Sequence, residues 1–528
     1  MQTGRSWQRR TLMHISRCVV AAALVLAITS VARAADDPPL VRAARAGDAQ
    51  AVNLLLQQRA DVNAAAADGT TALHWAVREE DLKTADALIR AGANVKASSR
   101  HGTTPLYLAA GLGNASMIHR LLDAGADPNG TDSTGDTMLM AAVRAGRIDA
   151  VRRLLDAGAQ INAVEPQVGH TALMWAVRNN QLSLMGLLLG RGAAVNARTR
   201  TGTRPAARPP GAGGGSHGVG IVRSGVPPQG QQAPTPGGMT PLLFAARDGR
   251  LDIARTLVSA GANVNAADVN GVSPLLMAIS NDHIPVATLL LVYGADAKAA
   301  DWWGRTPLWS AVDVRNLDLD SRTLENGVDR GSVLELIATL IKNGADVNAR
   351  VKEFPPERRF MMPLGSLAWV DFTGQTPFLR AALSGDVPLM RLLLASGADP
   401  HIATFNGTTA LMAAAGVNWV IGQTYSESPK MWLEATQLCL ELGGDVNAVN
   451  AMGLAAIHGA ANRGSNDIID VLARHGATLD VKDTEGRTPL VWAEGVFLAT
   501  NSPVAKPSTI ALLRTLQAAT QRHASEGR

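Results

Sequence analysis

Residues 102–134 read GTTPLYLAAGLGNASMIHRLLDAGADPNGTDST, and this 33-residue pattern recurs along most of the chain. Thr104 followed by Pro105 predicts a helix start, because the hydroxyl accepts an orphan N–H and proline lacks the N–H that would be unpaired. A second helix carries a leucine pair and ends at Gly125, since glycine readily takes the left-handed conformation that closes a helix. The stretch therefore predicts a helix, a turn, a second helix and an extended hairpin, called a finger below.

The glycines that open this pattern recur at a regular spacing. The intervals from Gly69 to Gly202 are 33, 33, 34 and 33 residues. The rhythm continues later in the chain at Gly238, Gly271, Gly304, Gly374, Gly407, Gly453 and Gly486. A fixed period of this length indicates stacked repeats, each of which contacts only its neighbours. The phrases predict about twelve units over residues 38–520.

These units resemble ankyrin repeats. The resemblance rests on phrases such as Thr104-Pro-Leu-Tyr and Gly344-Ala-Asp-Val-Asn, although only His74 and His458 keep the histidine of the Thr-Pro-Leu-His phrase. It implies an all-α fold, an α-solenoid of about twelve ankyrin-like helix-turn-helix-hairpin repeats with insertions. It further implies a non-enzymatic scaffold that binds another protein through finger tips, inner helices and the concave face.

Composition and charge narrow the class of protein. The chain has 528 residues, 46% hydrophobic but only 4% aromatic, so we expect a core of closely packed alanine, leucine and valine. The net charge of +4 originates in residues 1–34, which carry five arginines and no acid. The remainder has 44 basic and 45 acidic residues, so nucleic acid is not predicted as a partner.

The N-terminus has the pattern of a bacterial export signal. Arginines precede an apolar run from residue 18 to residue 28, and Ala32-Arg33-Ala34 provides a cleavage site before Ala35. The run is too short for a membrane span, and no later window is long enough, so residues 1–34 are predicted to be a signal peptide. Arg9 and Arg10 leave general and twin-arginine export open. The expected location is the periplasm or the exterior of a bacterium.

Interruptions of the 33-residue period divide the chain after residue 34 into segments. Residues 35–202 are predicted to hold repeats one to five, and residues 239–528 repeats six to twelve. The glycine-, proline- and arginine-rich stretch 203–238 is predicted to be a disordered linker. Within the second block, arithmetic on the repeat phrases predicts insertions at residues 315–332, 352–373, 417–433 and 495–508.

Aromatic residues concentrate around these insertions. Thirteen of the twenty lie between Tyr293 and Trp432, and tryptophan and tyrosine are favoured anchors at protein interfaces. The candidate partner-binding residues are Trp302, Trp303, Arg305, Phe354, Phe405 and Tyr425. The alternative is that these aromatics pack the insertions onto the solenoid. A second aromatic set shares one inner-helix position and is predicted to be framework: Trp75, Trp175, Phe244 and Trp492.

No catalytic, cofactor or metal site is predicted. The histidines are scattered over different repeats, and Cys439, the one cysteine outside the signal, lies in an apolar helix. The chain is expected to be a monomer. Two alternatives remain: an effector secreted into a host cell, or an enzyme whose site is built from the insertions of repeats eight to ten. The ionisable groups of those insertions are Asp318, Asp320, Glu325, Asp329, Glu353, Arg358 and Arg359.

Overall fold

The computed structural model describes residues 37–202, 237–316, 329–353, 372–419, 428–496 and 503–526. Within these ranges the chain forms twenty-four α-helices and no strand, and it divides into two compact units between Ala197 and Arg198. The first unit contains α1 Pro39–Arg45, α2 Ala49–Gln57, α3 Ala72–Arg78, α4 Leu82–Arg90, α5 Pro105–Leu112, α6 Ala115–Asp123, α7 Met138–Ala145, α8 Ile148–Asp156, α9 Ala172–Arg178 and α10 Leu182–Gly190. The second contains α11 Pro241–Arg247, α12 Leu251–Ser259, α13 Pro274–Ser280, α14 Ile284–Val292, α15 Pro307–Arg315, α16 Arg330–Lys342, α17 Pro377–Ser384, α18 Val387–Ala395, α19 Ala410–Ala415, α20 Pro429–Glu441, α21 Ala456–Arg463, α22 Asn466–Arg474, α23 Pro489–Gly495 and α24 Pro507–Glu526.

Most of the odd-numbered helices begin where the threonine phrases predicted. The Thr104 hydroxyl accepts the Tyr107 N–H at 3.2 Å, and Pro105 is the first residue of α5. The same cap opens seven further helices, through Thr137, Thr171, Thr240, Ser273, Thr306, Thr376 and Thr409. The predicted helix starts are therefore confirmed at these positions.

Most of the even-numbered helices end at the predicted glycines. Gly125 has a φ of 88°, and its N–H donates to the Leu122 carbonyl at 2.9 Å. The N–H of Ala126 donates to the Leu121 carbonyl at 2.9 Å. These bonds satisfy carbonyls at the end of α6 that would otherwise lack donors, which is the physical reason for glycine at this position.

Each helix pair packs on its neighbours within its unit. The odd-numbered helices form an inner layer and the even-numbered helices an outer layer. Each helix contacts its partner, and most also contact the same-layer helix of the adjacent repeat. The leucine that follows the cap by two positions is 1% exposed in successive repeats: Leu73, Leu106, Leu139 and Leu173. The expected core of alanine, leucine and valine is confirmed. No described helix has the length and hydropathy needed to cross a bilayer.

Asparagine side chains join successive fingers. The Asn129 side-chain amide donates to the Gly158 carbonyl at 3.1 Å, while its oxygen accepts the Gln160 N–H at 2.7 Å. These two backbone groups lie 29 and 31 residues further along the chain. The same pair of bonds is formed by Asn63, Asn162, Asn265 and Asn447. We call this set the asparagine ladder.

The ladder continues past an insertion. Asn348 bonds the Gly397 carbonyl at 3.1 Å and the Asp399 N–H at 2.8 Å, which lie 49 and 51 residues further on. The displacement of 20 positions equals the extra residues between Gly344 and Gly374, so the next repeat stacks in the usual register. The central part of that insertion, 354–371, lies outside the described residues.

The other predicted irregular segments also fall mainly outside the described residues. These are the signal 1–34, most of the linker 203–238, and the central parts of the insertions at 315–332, 417–433 and 495–508. At the second of these insertions α19 ends at Ala415 and α20 begins at Pro429, so the extra residues there separate an inner helix from its outer partner.

Candidate functional site

Trp302 and Trp303 pack at the finger between repeats seven and eight. Trp303 is 2% exposed and contacts Val272 and Leu276, while Trp302 lies half-buried on the same cluster. The two rings meet edge to face, with centroids 5.4 Å apart. Trp303 therefore contributes its surface to the fold, as the packing interpretation expected for this residue, and offers little of it to a partner.

Arg305 is part of the same finger and is also buried. Its Nε donates to Asp301 Oδ2 at 2.7 Å, and Asp301 Oδ1 accepts the backbone N–H groups of Trp303 and Arg305 at 3.0 and 2.9 Å. The guanidinium lies 5.4 Å from the ring centroid of Trp303. These three bonds to the Asp301 carboxylate stabilise the conformation of the finger. Arg305 therefore has a structural role in this loop.

Phe405 presents the most surface of the six candidates within the described residues. Its side chain is 38% exposed, and Arg350 lies 4.3 Å from its ring centroid. Arg350 in turn donates to the carbonyls of Gly374 and Ala403 at 3.2 and 2.7 Å. Phe354 and Tyr425, the remaining candidates, lie outside the described residues.

Few of the ionisable residues in the insertions of repeats eight to ten lie within the described part of the chain. Asp318, Asp320, Glu325, Arg358 and Arg359 lie outside the described residues. Asp329 is an exposed cap of α16, and Glu353 is buried. Nearby buried charges are paired: Arg380 Nε donates to Asp313 at 2.8 Å, and Arg315 Nε to Asp386 at 2.8 Å. In the described part of the chain, no three histidine, cysteine or acidic side chains cluster as metal ligands would.

A different surface appears on the inner helices of the first unit. Tryptophans and arginines from separate repeats lie together there, and we call this surface the Trp–Arg face. It consists of Arg45, Trp75, Arg78, Tyr107, Arg144, Trp175 and Arg178.

Trp75 lies between two guanidinium groups. Arg78 of the same helix and Arg45 of the preceding repeat lie 5.1 and 4.5 Å from its ring centroid. Arg45 is held in place by Asp37, a buried carboxylate 2.7 Å from its Nη1. Each cation–π contact contributes about 0.5–1 kcal/mol at a surface site. The half-buried indole therefore has a fixed orientation although part of it is open to solvent.

Trp175 repeats this arrangement three repeats later. Arg178 of its own helix and Arg144 of the preceding repeat lie 4.8 and 5.1 Å from its ring centroid. Arg144 forms an ion pair with the buried carboxylate of Asp136. The ring of His170 packs against the indole at 5.0 Å. The Nε1 atoms of Trp75 and Trp175 are both buried, and neither has a hydrogen-bond partner among the residues that the structure describes.

Tyr107 lies in the repeat between the two tryptophan repeats and bonds to the repeat that follows it. Its hydroxyl donates to Asp136 at 2.9 Å. Burial and this hydrogen bond raise the pKa of Tyr107 above its ordinary value, so the phenol stays protonated at every physiological pH. Asp136 therefore accepts from Tyr107 and Arg144 at once, and a carboxylate with two donors is committed to the face rather than available to a ligand.

The sequence carries a signal for this face that the search for aromatics did not use. In five repeats an arginine stands five residues after the buried leucine of the inner helix: Arg45, Arg78, Arg144, Arg178 and Arg247, of which the first four belong to the face. Residues with a fixed repeat position stack above one another in a solenoid. The tryptophans were interpreted as framework, yet Trp75 and Trp175 are half-buried, unlike Phe244 and Trp492, which are buried.

Comparisons with known proteins agree with this architecture. The family model described as ankyrin repeats (3 copies) matches residues 40–132, 106–199 and 242–351, and the model described as ankyrin repeat matches residues 373–402. Ankyrin repeat and SOCS box protein 16 from Mus musculus is 32% identical over 115 residues, which are 22% of this chain and 24% of that protein. The chain thus spans about a quarter of the length of this curated relative. Since the matched ranges cover more than half of the sequence, the chain belongs to the ankyrin repeat family.

Proposed function

We propose that this chain is an exported, non-enzymatic scaffold that binds another protein as a monomer, in the periplasm or outside a bacterial cell. Ankyrin repeats generally act as protein–protein interaction modules. The observation that carries the proposal for this chain is the Trp–Arg face, where half-buried tryptophans from separate repeats are held ready on the inner helices.

The face has the chemistry of an interface hot spot. Tryptophan and arginine are the residues most often responsible for binding energy at protein interfaces. Trp75 and Trp175 are each fixed by two guanidinium groups, so little side-chain entropy remains to be lost when a partner binds. The stacked helices fix the backbone in the same way. A preorganised surface of this kind supports binding rather than catalysis.

The export part of the proposal rests on the N-terminal sequence. Basic residues, a short apolar run and Ala32-Arg33-Ala34 together form the pattern of a cleavable signal. A scaffold with one remaining cysteine, Cys439, forms no intrachain disulfide in an oxidising compartment. Its stability then depends on packing and on hydrogen bonds between repeats.

Site-specific photocrosslinking in cells tests the proposal. Leu108 holds in repeat three the inner-helix position that Trp75 holds in repeat two, and Arg152 is exposed on the outer helix α8. We expect benzoylphenylalanine at position 108 to form one discrete adduct with another protein on irradiation. The same probe at position 152 should not form it. Absence of any adduct from position 108, in cells where export of the full chain is verified, would contradict the proposed function.

A further inference from the structure

We propose that the Trp–Arg face binds an acidic, extended segment of the partner protein. The inference rests on the proposed function and adds the chemistry of what the face recognises. Four guanidinium groups lie along the face, on Arg45, Arg78, Arg144 and Arg178. Arginine is the side chain best suited to bind carboxylates, because its planar fork of N–H donors matches both oxygens.

Two carboxylates of the face lie beneath its arginines. Asp37 and Asp136 are 8% and 7% exposed, and each forms an ion pair with one arginine of the face, Arg45 and Arg144 respectively. The exposed Asp68 lies near Arg45 and the half-buried Asp132 lies near Tyr107, so a partner's carboxylates are expected chiefly at Arg78 and Arg178. A segment with regularly placed carboxylates is complementary to these two guanidinium groups.

The spacing of the tryptophans sets the length of the segment. Trp75 lies in repeat two and Trp175 in repeat five, three repeat steps apart. Packed helices are separated by roughly 8–10 Å, so the two rings lie about 24–30 Å apart. An extended chain covers about 3.3 Å per residue, so about eight residues span the distance. The segment therefore needs acidic groups near both ends of an eight- to ten-residue stretch.

Binding of synthetic peptides by the full chain tests this inference. The probe is a fluorescein-labelled ten-residue peptide of alternating glutamate and alanine, because alternate side chains of an extended chain point to one side. The matched probes carry glutamine or lysine in place of glutamate, and a ten-nucleotide thymidine strand tests for general attraction of anions. We expect anisotropy to show binding of the glutamate peptide at 50 mM salt and weaker binding at 500 mM salt. Equal binding of the glutamine peptide, tighter binding of the oligonucleotide, or no binding of the glutamate peptide would overturn the inference.

Charge-reversal variants locate the site. Arg78→Glu with Arg178→Glu should weaken binding of the glutamate peptide at least tenfold. The matched control, Arg152→Glu with Arg153→Glu, makes the same change of charge at two exposed positions on α8 and should change binding less than twofold. Arg78→Gln with Arg178→Gln serves as a milder variant if the reversal lowers helical content. An equal effect of the two charge-reversal pairs would show that only net charge matters and would overturn the inference.

The photocrosslinking experiment separates this inference from the proposed function. The probe at position 108 is introduced into the Arg78→Glu, Arg178→Glu chain. We expect the protein adduct to disappear. If the adduct persists undiminished, the chain still binds a protein and the acidic-segment inference fails alone. If the unsubstituted chain forms no adduct either, the proposed function fails as well.

Discussion

At the scale of single residues, His74 shows how the repeat phrase works. Its Nδ1 accepts from the Thr71 backbone N–H at 3.2 Å and faces the Thr71 hydroxyl at 2.9 Å. Its Nε2 donates to the Thr103 carbonyl of the next repeat at 3.0 Å. One imidazole therefore caps its own helix and joins two repeats. Burial lowers the pKa of His74, because the charged form loses its hydration.

Replacing His74 with alanine should destabilise the chain at alkaline pH by about 1–3 kcal/mol, since buried partners lose their bonds. The difference in stability between the wild-type chain and the His74→Ala variant should become smaller as the pH falls. The unfolded histidine has a pKa of about 6.5 and the folded one a lower pKa, so protons bind the unfolded state first and the wild-type chain loses stability below that pH. Thermal unfolding at pH 8 and pH 5 measures both effects. His101→Ala, at an exposed site, should change little at pH 8, and a wild-type advantage that grows on acidification would contradict the prediction.

Cys439 should behave as an inert core residue. It is 3% exposed in α20, and burial raises its pKa to about 12, so the reactive thiolate is scarce at neutral pH. We expect no reaction with a chromogenic disulfide reagent in buffer and stoichiometric reaction in denaturant. The rate at intermediate urea concentration then reports the opening of repeat ten. Rapid labelling of the native chain would show that α20 does not pack as described.

At the scale of elements, helix starts and ends were predictable because their signals are local. A threonine and a proline at successive positions determine where an inner helix begins, and a glycine determines where an outer helix ends. The buried charge pairs were not predictable, because they join distant elements. Arg380 meets Asp313 across 67 residues, and Asp386 meets Arg315 across 71. Such contacts exist only after the repeats have stacked.

The asparagine ladder should stabilise each finger that it joins. Asn129→Ala removes one donor and one acceptor to the backbone of the next repeat, a loss of about 1–2 kcal/mol for exposed bonds. Lys96→Ala is the matched control, since Lys96 holds the same repeat position and its side chain forms no ladder bond among the described residues. Hydrogen exchange measured by mass spectrometry should show faster opening of residues 126–163 in the first variant only. Equal exchange in both would show that the ladder does not limit local opening.

Removing the buried charge of Asp386 should lower the free energy of unfolding more than removing the exposed charge of Asp252. It is fully buried and faces Arg315 at 2.8 Å and Arg330 at 3.2 Å, so Asp386→Asn removes a buried negative charge that two guanidinium groups share. We expect a loss of about 3–5 kcal/mol in the free energy of unfolding. Asp252→Asn breaks an exposed pair with Arg255 and should cost under about 1 kcal/mol. Urea denaturation measures the stability of both variants. Similar midpoints would contradict the prediction that the Asp386 charge contributes more to stability.

At the scale of the whole molecule, the fold was predictable and the site only in part. A count of aromatics along the chain shows where they are abundant, but it does not show whether they are exposed. Trp303 lies in the aromatic-rich region, yet its side chain is buried in the core. The Trp–Arg face is built from residues of different repeats, none of which is unusual alone. It becomes visible only when inner-helix positions are compared down the stack.

Export should remove the first 34 residues. N-terminal sequencing of the exported chain is expected to begin at Ala35, and aspartate at positions 32 and 34 should leave the precursor uncleaved, because signal cleavage needs small residues there. Arg9→Lys with Arg10→Lys should still be exported if the general route is used. An unprocessed chain that stays in the cytoplasm would contradict the proposed location. Loss of export in the lysine variant alone would assign the twin-arginine route.

The ladder at Asn348 has an evolutionary consequence. Its bonds to Gly397 and Asp399 are the same as elsewhere although 20 extra residues intervene in the chain. The packing of a repeat on its neighbour therefore does not depend on the number of residues in the segment that connects them. We therefore expect changes of length at residues 354–371 to alter the free energy of unfolding little, so that this segment can acquire new sequence faster than the helices around it. The same property makes it the place to graft a foreign peptide or a whole reporter domain.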